Sequence, residues 1–115
     1  MQTIVKMGDT PADKADTQLF EGWVVIEGDP RMRTWVMHTD QDGVMSSGIW
    51  ECTPGTMQVA FSGFEFAAVL QGRMIITPEG GSPIEVGPGD AIAVEKTFRG
   101  TWQIVEPVRK YFSAA

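Results

Sequence analysis

The sequence predicts an all-β fold, a small barrel or sandwich of short strands. Two observations carry this prediction. The 115 residues include 13 glycines and 7 prolines, which suits many tight turns better than a helix bundle. Short apolar segments recur at regular intervals between turn sequences, without the long helical segments that would separate the strands of an α/β fold. A chain of this length forms one core, so we predict a single domain over residues 1–115.

Four strands are predicted in the N-terminal half, after a polar loop or arm at residues 7–18. They cover residues 20–27, 31–39, 47–52 and 57–61. Their boundaries are set by turn signals rich in Gly, Pro and Asp, namely Gly28-Asp29-Pro30, Asp40-Gln41-Asp42-Gly43 and Pro54-Gly55.

Six further strands are predicted in the C-terminal half. They cover residues 64–70, 73–77, 83–86, 91–94, 101–105 and 108–112. The first two are separated at Gln71-Gly72, and the fourth follows the turn Gly87-Pro88-Gly89-Asp90. The regular spacing of these segments favours a closed or sandwiched sheet.

An ordered set of short motifs between residues 45 and 112 resembles the cupins, and in particular the subgroup of ureidoglycine aminohydrolase and the ethanolamine-utilisation cupin. The motifs are Gly48-Ile49-Trp50-Glu51-Cys52-Thr53-Pro54-Gly55, Glu65-Phe66, Leu70-Gln71-Gly72, Gly100-Thr101-Trp102 and Arg109-Lys110-Tyr111. The resemblance implies a single-domain cupin jelly-roll β-barrel (a double-stranded β-helix). Its motif core would lie at 45–112, preceded by an N-terminal arm and strands at 1–44. It also implies a homodimer, with the strands at 20–39 as contributors.

The histidines that hold a metal ion in many cupins are missing from this chain. Counting back from Glu65, the two histidine positions of the first motif fall on Gln58 and Ala60, or one residue later. Gly89-Asp90 fits the second motif, but its histidine position falls on Gly100. The one histidine, His38, lies outside both motifs and is interpreted as an ordinary surface or hydrogen-bonded residue. We therefore expect no cofactor and no metal ligands.

Glu65 is the candidate catalytic residue, because the cupin motif places it inside the barrel. A buried carboxylate can anchor a ligand or act as a general base, although a carboxylate satisfied by its neighbours is equally compatible with the sequence. Strand alternation from Glu65 and from the position of the lost histidine supplies candidates for a ligand pocket. They are Gln58, Ala60, Ala67, Trp102, Tyr111 and Trp50.

The residues next to these candidates are expected to have structural rather than functional roles. Either Trp50 or Glu51 faces inward, and alternation alone leaves both open. Arg109 and Lys110 are adjacent and must diverge, so at least one is expected to face solvent or pair with an acid such as Glu51 or Glu106. Cys52 has no basic partner nearby in sequence and is expected to be a buried, inert thiol.

Three functions remain open: metal-independent binding of a small molecule, a metalloenzyme acting on a ureido or amino compound, and a dimerisation module. The metalloenzyme would need unusual ligands, which would come from Glu65, Gln58, His38 and Glu95. Binding of a small molecule carrying an amine, amide or hydroxyl is favoured.

Composition argues against several other partners and sites. The net charge of −6 and the lack of a Lys/Arg run disfavour nucleic acid. No apolar run approaches a membrane span of about 20 residues, and residues 1–18 lack the apolar core of a secretory signal. Cys52 is the lone cysteine, so no intramolecular disulfide can form. A cytoplasmic location is expected.

Overall fold

The computed structural model describes residues 3–115, and within this range the chain forms eight β-strands and no helix. The first two residues of the predicted N-terminal region 1–44 lie outside the described residues. The strands are β1 (Val24–Gly28), β2 (Met32–Thr39), β3 (Ser46–Cys52), β4 (Gly55–Ala60), β5 (Glu65–Pro78), β6 (Ile84–Val86), β7 (Ala91–Val94) and β8 (Arg99–Ala114). The predicted all-β fold is therefore confirmed. Within residues 3–115 no helix is long and apolar enough to cross a membrane.

All eight strands belong to one antiparallel sheet that curls into a jelly-roll barrel. Along its main path the strand order is β1-β4-β8-β3-β2, and β5 pairs with β6, β7 and β8. The longest pairing joins β5 to β8, from Glu65 opposite Ala114 to Pro78 opposite Gly100. We call these two long strands the spine of the sheet, because β3 and β4 pair with β8, and β6 and β7 pair with β5.

Two predicted breaks are not breaks in the structure. The predicted strands at 64–70 and 73–77 form one strand, β5, and those at 101–105 and 108–112 form one strand, β8. The expected interruption at Gln71-Gly72 appears instead as a series of register shifts between β5 and β8, with Gly72 at φ +85°. Bulges bend a strand and change its register without ending it, so a turn-like sequence can lie inside a continuous strand.

The core lies on the concave face of the sheet, where alternate side chains point inward. On β8 the buried positions are Trp102, Ile104, Val108 and Lys110. On β5 they begin at Glu65 and continue through Ala67 and Val69. Two charged residues, one on each long strand, are thus carried into the interior of the barrel.

The N-terminal segment from residue 3 to residue 19, which includes the predicted arm, forms no strand and is held by contacts to β2 and β8. Arg109 donates a hydrogen bond to the carbonyl oxygen of Gly8 at 3.1 Å, and Trp35 Nε1 donates to that of Asp13 at 3.0 Å. Asp16 and Thr34 exchange two backbone hydrogen bonds. The arm is therefore tied to the edge strand β2 and to the outward-facing Arg109 of β8.

Candidate functional site

A cavity of about 400 Å³ opens at one end of the barrel. Six of the 17 residues that line it are aromatic, among them Trp23, Phe61 and Phe112 and the more exposed Phe20 and Phe64. The rings of Trp23 and Phe61 are stacked, with their centroids 6.0 Å apart and their planes at 24°. Such a volume, with apolar walls and few polar groups, is typical of a small-molecule site.

A buried ion pair between Lys110 and Glu65 lines the cavity. Lys110 Nζ lies 2.6 Å from Glu65 Oε2, and the two residues are 2% and 8% exposed. Glu65 is the first residue of β5 and Lys110 lies near the end of β8, so the antiparallel pairing of these strands brings both to the same end of the barrel. At this depth a cation needs a partner that offsets its lost hydration, and Glu65 supplies it.

Two tryptophan rings complete the environment of the Lys110 ammonium. Its Nζ lies 4.5 Å from the ring centroid of Trp50 and 4.4 Å from that of Trp102. The two rings are nearly perpendicular, at 88°. Both contacts fall within the range of cation–π attraction. They favour the charged lysine, so the pair is an ammonium facing a carboxylate, with no net charge.

Thr34 and Trp50 extend this polar group across the sheet. Thr34 on β2 is in register with Trp50 on β3, and Trp50 is in register with Lys110 on β8. All three line the cavity. Thr34 Oγ1, Trp50 Nε1 and Trp102 Nε1 are buried and have no hydrogen-bond partner among residues 3–115. All three atoms are shielded from solvent, and each lowers the free energy of unfolding by about 1–3 kcal/mol while it is unpaired.

Cys52 lies below this group and is not suited to nucleophilic chemistry. The residue is 2% exposed, and its Sγ donates a weak hydrogen bond to the carbonyl oxygen of Thr53 at 3.4 Å. Burial raises the pKa of the thiol to about 12, against a smaller lowering effect of Lys110. The thiol is therefore protonated at neutral pH, in agreement with the predicted inert cysteine.

Five of the predicted site residues lie in or directly beneath the cavity. Glu65, Ala60 and Trp50 line it. Ala67 and Trp102 are fully buried in the layer beneath. Trp50 is the inward member of its pair with Glu51, whose carboxylate faces outward and binds Arg109 and Arg33.

Gln58 does not face the interior, so its predicted place in the pocket is wrong. Its side chain is exposed, whereas Met57 and Val59 on either side are buried. The prediction carried the alternation of Glu65 backwards through residues 61–64, which form no strand. Alternation holds only within a strand, and a loop can reset it by one residue.

Tyr111 also lies outside the cavity, contrary to the prediction. It follows Lys110 directly and therefore points to the opposite face of the sheet. There its hydroxyl donates to the carbonyl oxygen of Met7, at 3.4 Å, on the N-terminal arm. Tyr111 thus helps to hold the arm in place.

Sequence reasoning missed Lys110 as a site residue, along with Thr34, Trp23 and Phe61. A signal for Lys110 was present, because Trp102 was placed inward and the same alternation reaches Ile104, Val108 and Lys110. The predicted break at 106–107 hid it by treating β8 as two strands. Arg109 pairs with Glu51, one of the acids considered for it, and Lys110 turns inward.

The residues around Glu65 do not fit a metal ion. Within residues 3–115 no group of three or more His, Cys, Asp or Glu side chains is placed to hold one. Gln58 faces outward, and Glu95 lines a different surface depression from that of Glu65. The Lys110 ammonium, 2.6 Å from Glu65, would repel a metal cation at that carboxylate.

Comparisons with solved structures show the fold. A protein of unknown function of the DUF861 family from Pseudomonas syringae pv. tomato aligns with TM-score 0.73 at 24% identity, over 80% of this chain and 40% of that chain. EutQ from Clostridium difficile aligns with TM-score 0.65 at 16% identity, over 74% and 68%. Ectoine synthase from P. lautus aligns with TM-score 0.67 at 18% identity, over 97% and 77%. The chain thus spans less than half of the Pseudomonas protein.

The family assignment rests on sequence. No curated protein matches the chain significantly. A family model described as the EutQ-like cupin domain matches residues 39–112, which is more than half of the chain and includes the motifs at 48–55, 65–72 and 100–111. The chain belongs to the family of EutQ-like cupin domains.

Proposed function

We propose that this cupin binds a small organic molecule in the cavity above Lys110 and Glu65, without a metal ion. The observation that carries the proposal is an open cavity of about 400 Å³ with apolar walls and the Glu65–Lys110 pair in its lining. A barrel filled by its own side chains would have no such cavity.

The lining of the cavity predicts a ligand with an apolar body and a polar end. Trp23, Phe61 and Phe112 provide a large apolar contact surface for its body. Glu65, paired with Lys110, provides the polar contact at one end, which fixes the orientation of the ligand. Glu65 acts as the anchor in this arrangement. A chemical step in this cavity would use Glu65 as the proton acceptor, because its carboxylate lines the cavity.

The metal-dependent alternative receives less support from the geometry. Within residues 3–115, Glu65, His38 and Glu95 are not grouped to hold one ion, and the position facing Glu65 is taken by the ammonium of Lys110. We therefore assign the role of the internal cation to Lys110.

A screen of small soluble organic fragments by ligand-observed NMR tests the proposal, with two variants that assign any hit to the cavity. Ala60→Phe places a large side chain at the cavity wall and is expected to abolish binding of the hits. Gln58→Phe makes the same kind of change on the outer face of β4 and is expected to preserve it. If no fragment binds in an Ala60-dependent manner, the proposal is wrong.

We also propose that two copies of the chain associate through β1, which favours a pairing role beside ligand binding. β1 ends the strand order, so one of its edges has no hydrogen-bonding strand within residues 3–115. Val24 and Ile26 are 56% and 54% exposed, and the strand carries neither Lys nor Pro, two devices that commonly protect an edge. Antiparallel pairing of β1 with itself satisfies two-fold symmetry and makes a second copy the fitting occupant.

A further inference from the structure

We propose that residues 17–22 form a strap that opens and closes the entrance of the cavity, and that the ring of Phe20 is the gate which a ligand displaces on entry. The name strap is used below for residues 17–22 alone. The inference rests on the proposed binding function, because a gate has a role only where the cavity takes up a ligand.

The strap forms part of the boundary between the cavity and solvent. At its start, Asp16 and Thr34 of β2 exchange two backbone hydrogen bonds, and at its end Trp23 leads into β1. β1 and β2 lie at opposite ends of the strand order, and both Thr34 and Trp23 line the cavity. Phe20 and Glu21 line it as well, and both are exposed. The strap thus runs from one wall of the cavity to the other at its open end.

The two ends of the strap are firmly held, and its middle is not. The ring of Trp23 is packed against those of Trp102 and Phe61, with centroid distances of 5.0 and 6.0 Å. In contrast, every residue of the strap is exposed, and within residues 3–115 its backbone makes no hydrogen bond to a strand. Segments with few buried contacts and a solvated backbone open at a low free-energy cost. The strap can therefore move between two fixed points.

Phe20 is well placed to act as the gate. Its ring meets the ring of Trp23 edge-on, with the centroids 5.0 Å apart and the planes at 85°. The residue is 39% exposed, so its ring lies between solvent and a wall of the cavity. One contact between partly exposed rings is weak compared with the free energy of global unfolding. The ring can therefore swing away from Trp23 while the barrel stays folded.

The last residue of the strap packs over Ala60. An added Cβ at Gly22 would lie 3.4 Å from the carbonyl oxygen of Ala60 and 3.5 Å from its Cβ. Ala60 lines the cavity, so a cysteine at this position would be shielded while the strap is closed. Its reactivity then measures access to the cavity without a bound ligand.

Uptake of a fluorescent probe tests the gate through kinetics. N-phenyl-1-naphthylamine is uncharged and apolar, and its emission rises when it leaves water. Stopped-flow mixing with the full chain gives its association and dissociation rate constants. In Phe20→Ala both should rise about fivefold or more while the dissociation constant changes less than about threefold, because a gate slows entry and exit alike.

Leu19→Ala is the matched control for this kinetic test. Leu19 is 40% exposed on the same strap and lies outside the cavity lining. It has the same degree of exposure as Phe20 without the contact to Trp23, so both rate constants should stay at the wild-type values. A control that matched Phe20→Ala would assign the effect to general loosening of the strap and contradict the role of the Phe20 ring.

Thiol labelling tests the gate without the probe. Ala60→Cys is made in a Cys52→Ala chain, with Gln58→Cys on the outer face as the reference for open access. With iodoacetamide at pH 8, the thiol at 60 should react at least about tenfold more slowly than the thiol at 58. Adding Phe20→Ala should speed the reaction at 60 about fivefold or more, and adding Leu19→Ala should not.

The outcomes distinguish this inference from the binding proposal. If Phe20→Ala raises only the dissociation rate, Phe20 is a wall that contacts the probe, and the gate inference is wrong. If the thiols at 58 and 60 react equally fast with Phe20 in place, the strap does not restrict the entrance and the inference is also wrong. If the probe does not bind the wild type, the labelling rates decide the gate, and the fragment screen decides the binding proposal.

Discussion

At the scale of single residues, the interior of the barrel is organised by the charge of Lys110. A lysine that is 2% exposed loses nearly all of its hydration. The Glu65 carboxylate and the faces of Trp50 and Trp102 replace that hydration. The pair is thus stable only as a unit, and removing one member leaves an uncompensated charge in the core.

The coupling of this pair can be measured with a double-mutant cycle. Lys110→Met should lower the free energy of unfolding by about 3–5 kcal/mol, because Glu65 is left buried without a cation. Adding Glu65→Leu should restore most of the loss, because both buried charges are then gone. Urea unfolding of the wild type, both single variants and the double variant gives the coupling. A loss below about 1 kcal/mol for Lys110→Met would mean that water reaches the pair.

Ionisation of the Cys52 thiol makes the free energy of unfolding depend on pH in the alkaline range. Burial raises the pKa of its thiol from the ordinary value of 9.0 to about 12 in the folded protein. Between these values the unfolded chain releases the thiol proton and the folded chain retains it, so this contribution is fully present below pH 9 and is lost as the pH rises towards 12.

The matching experiment compares urea unfolding of the wild type and Cys52→Ala from pH 8 to pH 10.5. The wild type should lose up to about 1.4 kcal/mol more per pH unit above pH 9 than the variant. Equal slopes for the two proteins would show that the folded thiol titrates normally. As a second readout, a thiol reagent at pH 8 should label Cys52 only in denaturant.

At the scale of elements, the bulged centre of β5 depends on Gly72. Its φ is +85°, and an added Cβ would lie 2.0 Å from the carbonyl oxygen of Pro107. The strand therefore needs glycine there for both conformation and space, which explains why a turn-like Gln71-Gly72 lies within a continuous strand.

Two glycine substitutions distinguish the energetic cost of the backbone conformation from the cost of steric overlap. Gly43, in the turn after β2, also has a positive φ, +72°, but an added Cβ would meet no atom within 4 Å. Gly43→Ala should cost about 1–2 kcal/mol from backbone conformation alone. Gly72→Ala should cost at least about 2 kcal/mol more, because the backbone of β8 must also move. Similar losses in thermal unfolding would show that the spine of β5 and β8 adapts freely.

At the scale of the whole molecule, the proposed association through β1 predicts that a charged side chain on β1 changes the oligomeric state. Ile26→Lys should convert the dimer to a monomer, because it places a charge at the self-pairing edge. Ile84→Lys is the matched control, since Ile84 is 52% exposed on β6, at another part of the sheet. Light scattering coupled to size-exclusion chromatography measures both. A monomeric wild type, or a dimer disrupted only by Ile84→Lys, would contradict the proposal.

The sequence by itself determined the fold class and most strand positions. Tight-turn signals bound the predicted strands, and β2, β3, β6 and β7 begin within one residue of their predicted positions. The inward position of Glu65 also followed from the sequence, through its place in the cupin motif. These features are local, because a turn sequence and the alternation of one strand depend on neighbouring residues.

Only the tertiary structure decided what faces Glu65. Of the adjacent Arg109 and Lys110, one had to point inward, and the alternation that starts at Trp102 identifies Lys110 only once β8 is known to be one continuous strand. The register of β8 against β3 and β5 places Lys110 inside and Arg109 beside Glu51. Gln58 shows the same dependence, because its face is set by the pairing of β4 with β8 rather than by its distance in sequence from Glu65. Register arises from hydrogen bonds between residues far apart in the chain, and shifting it by one residue exchanges the inner and outer faces.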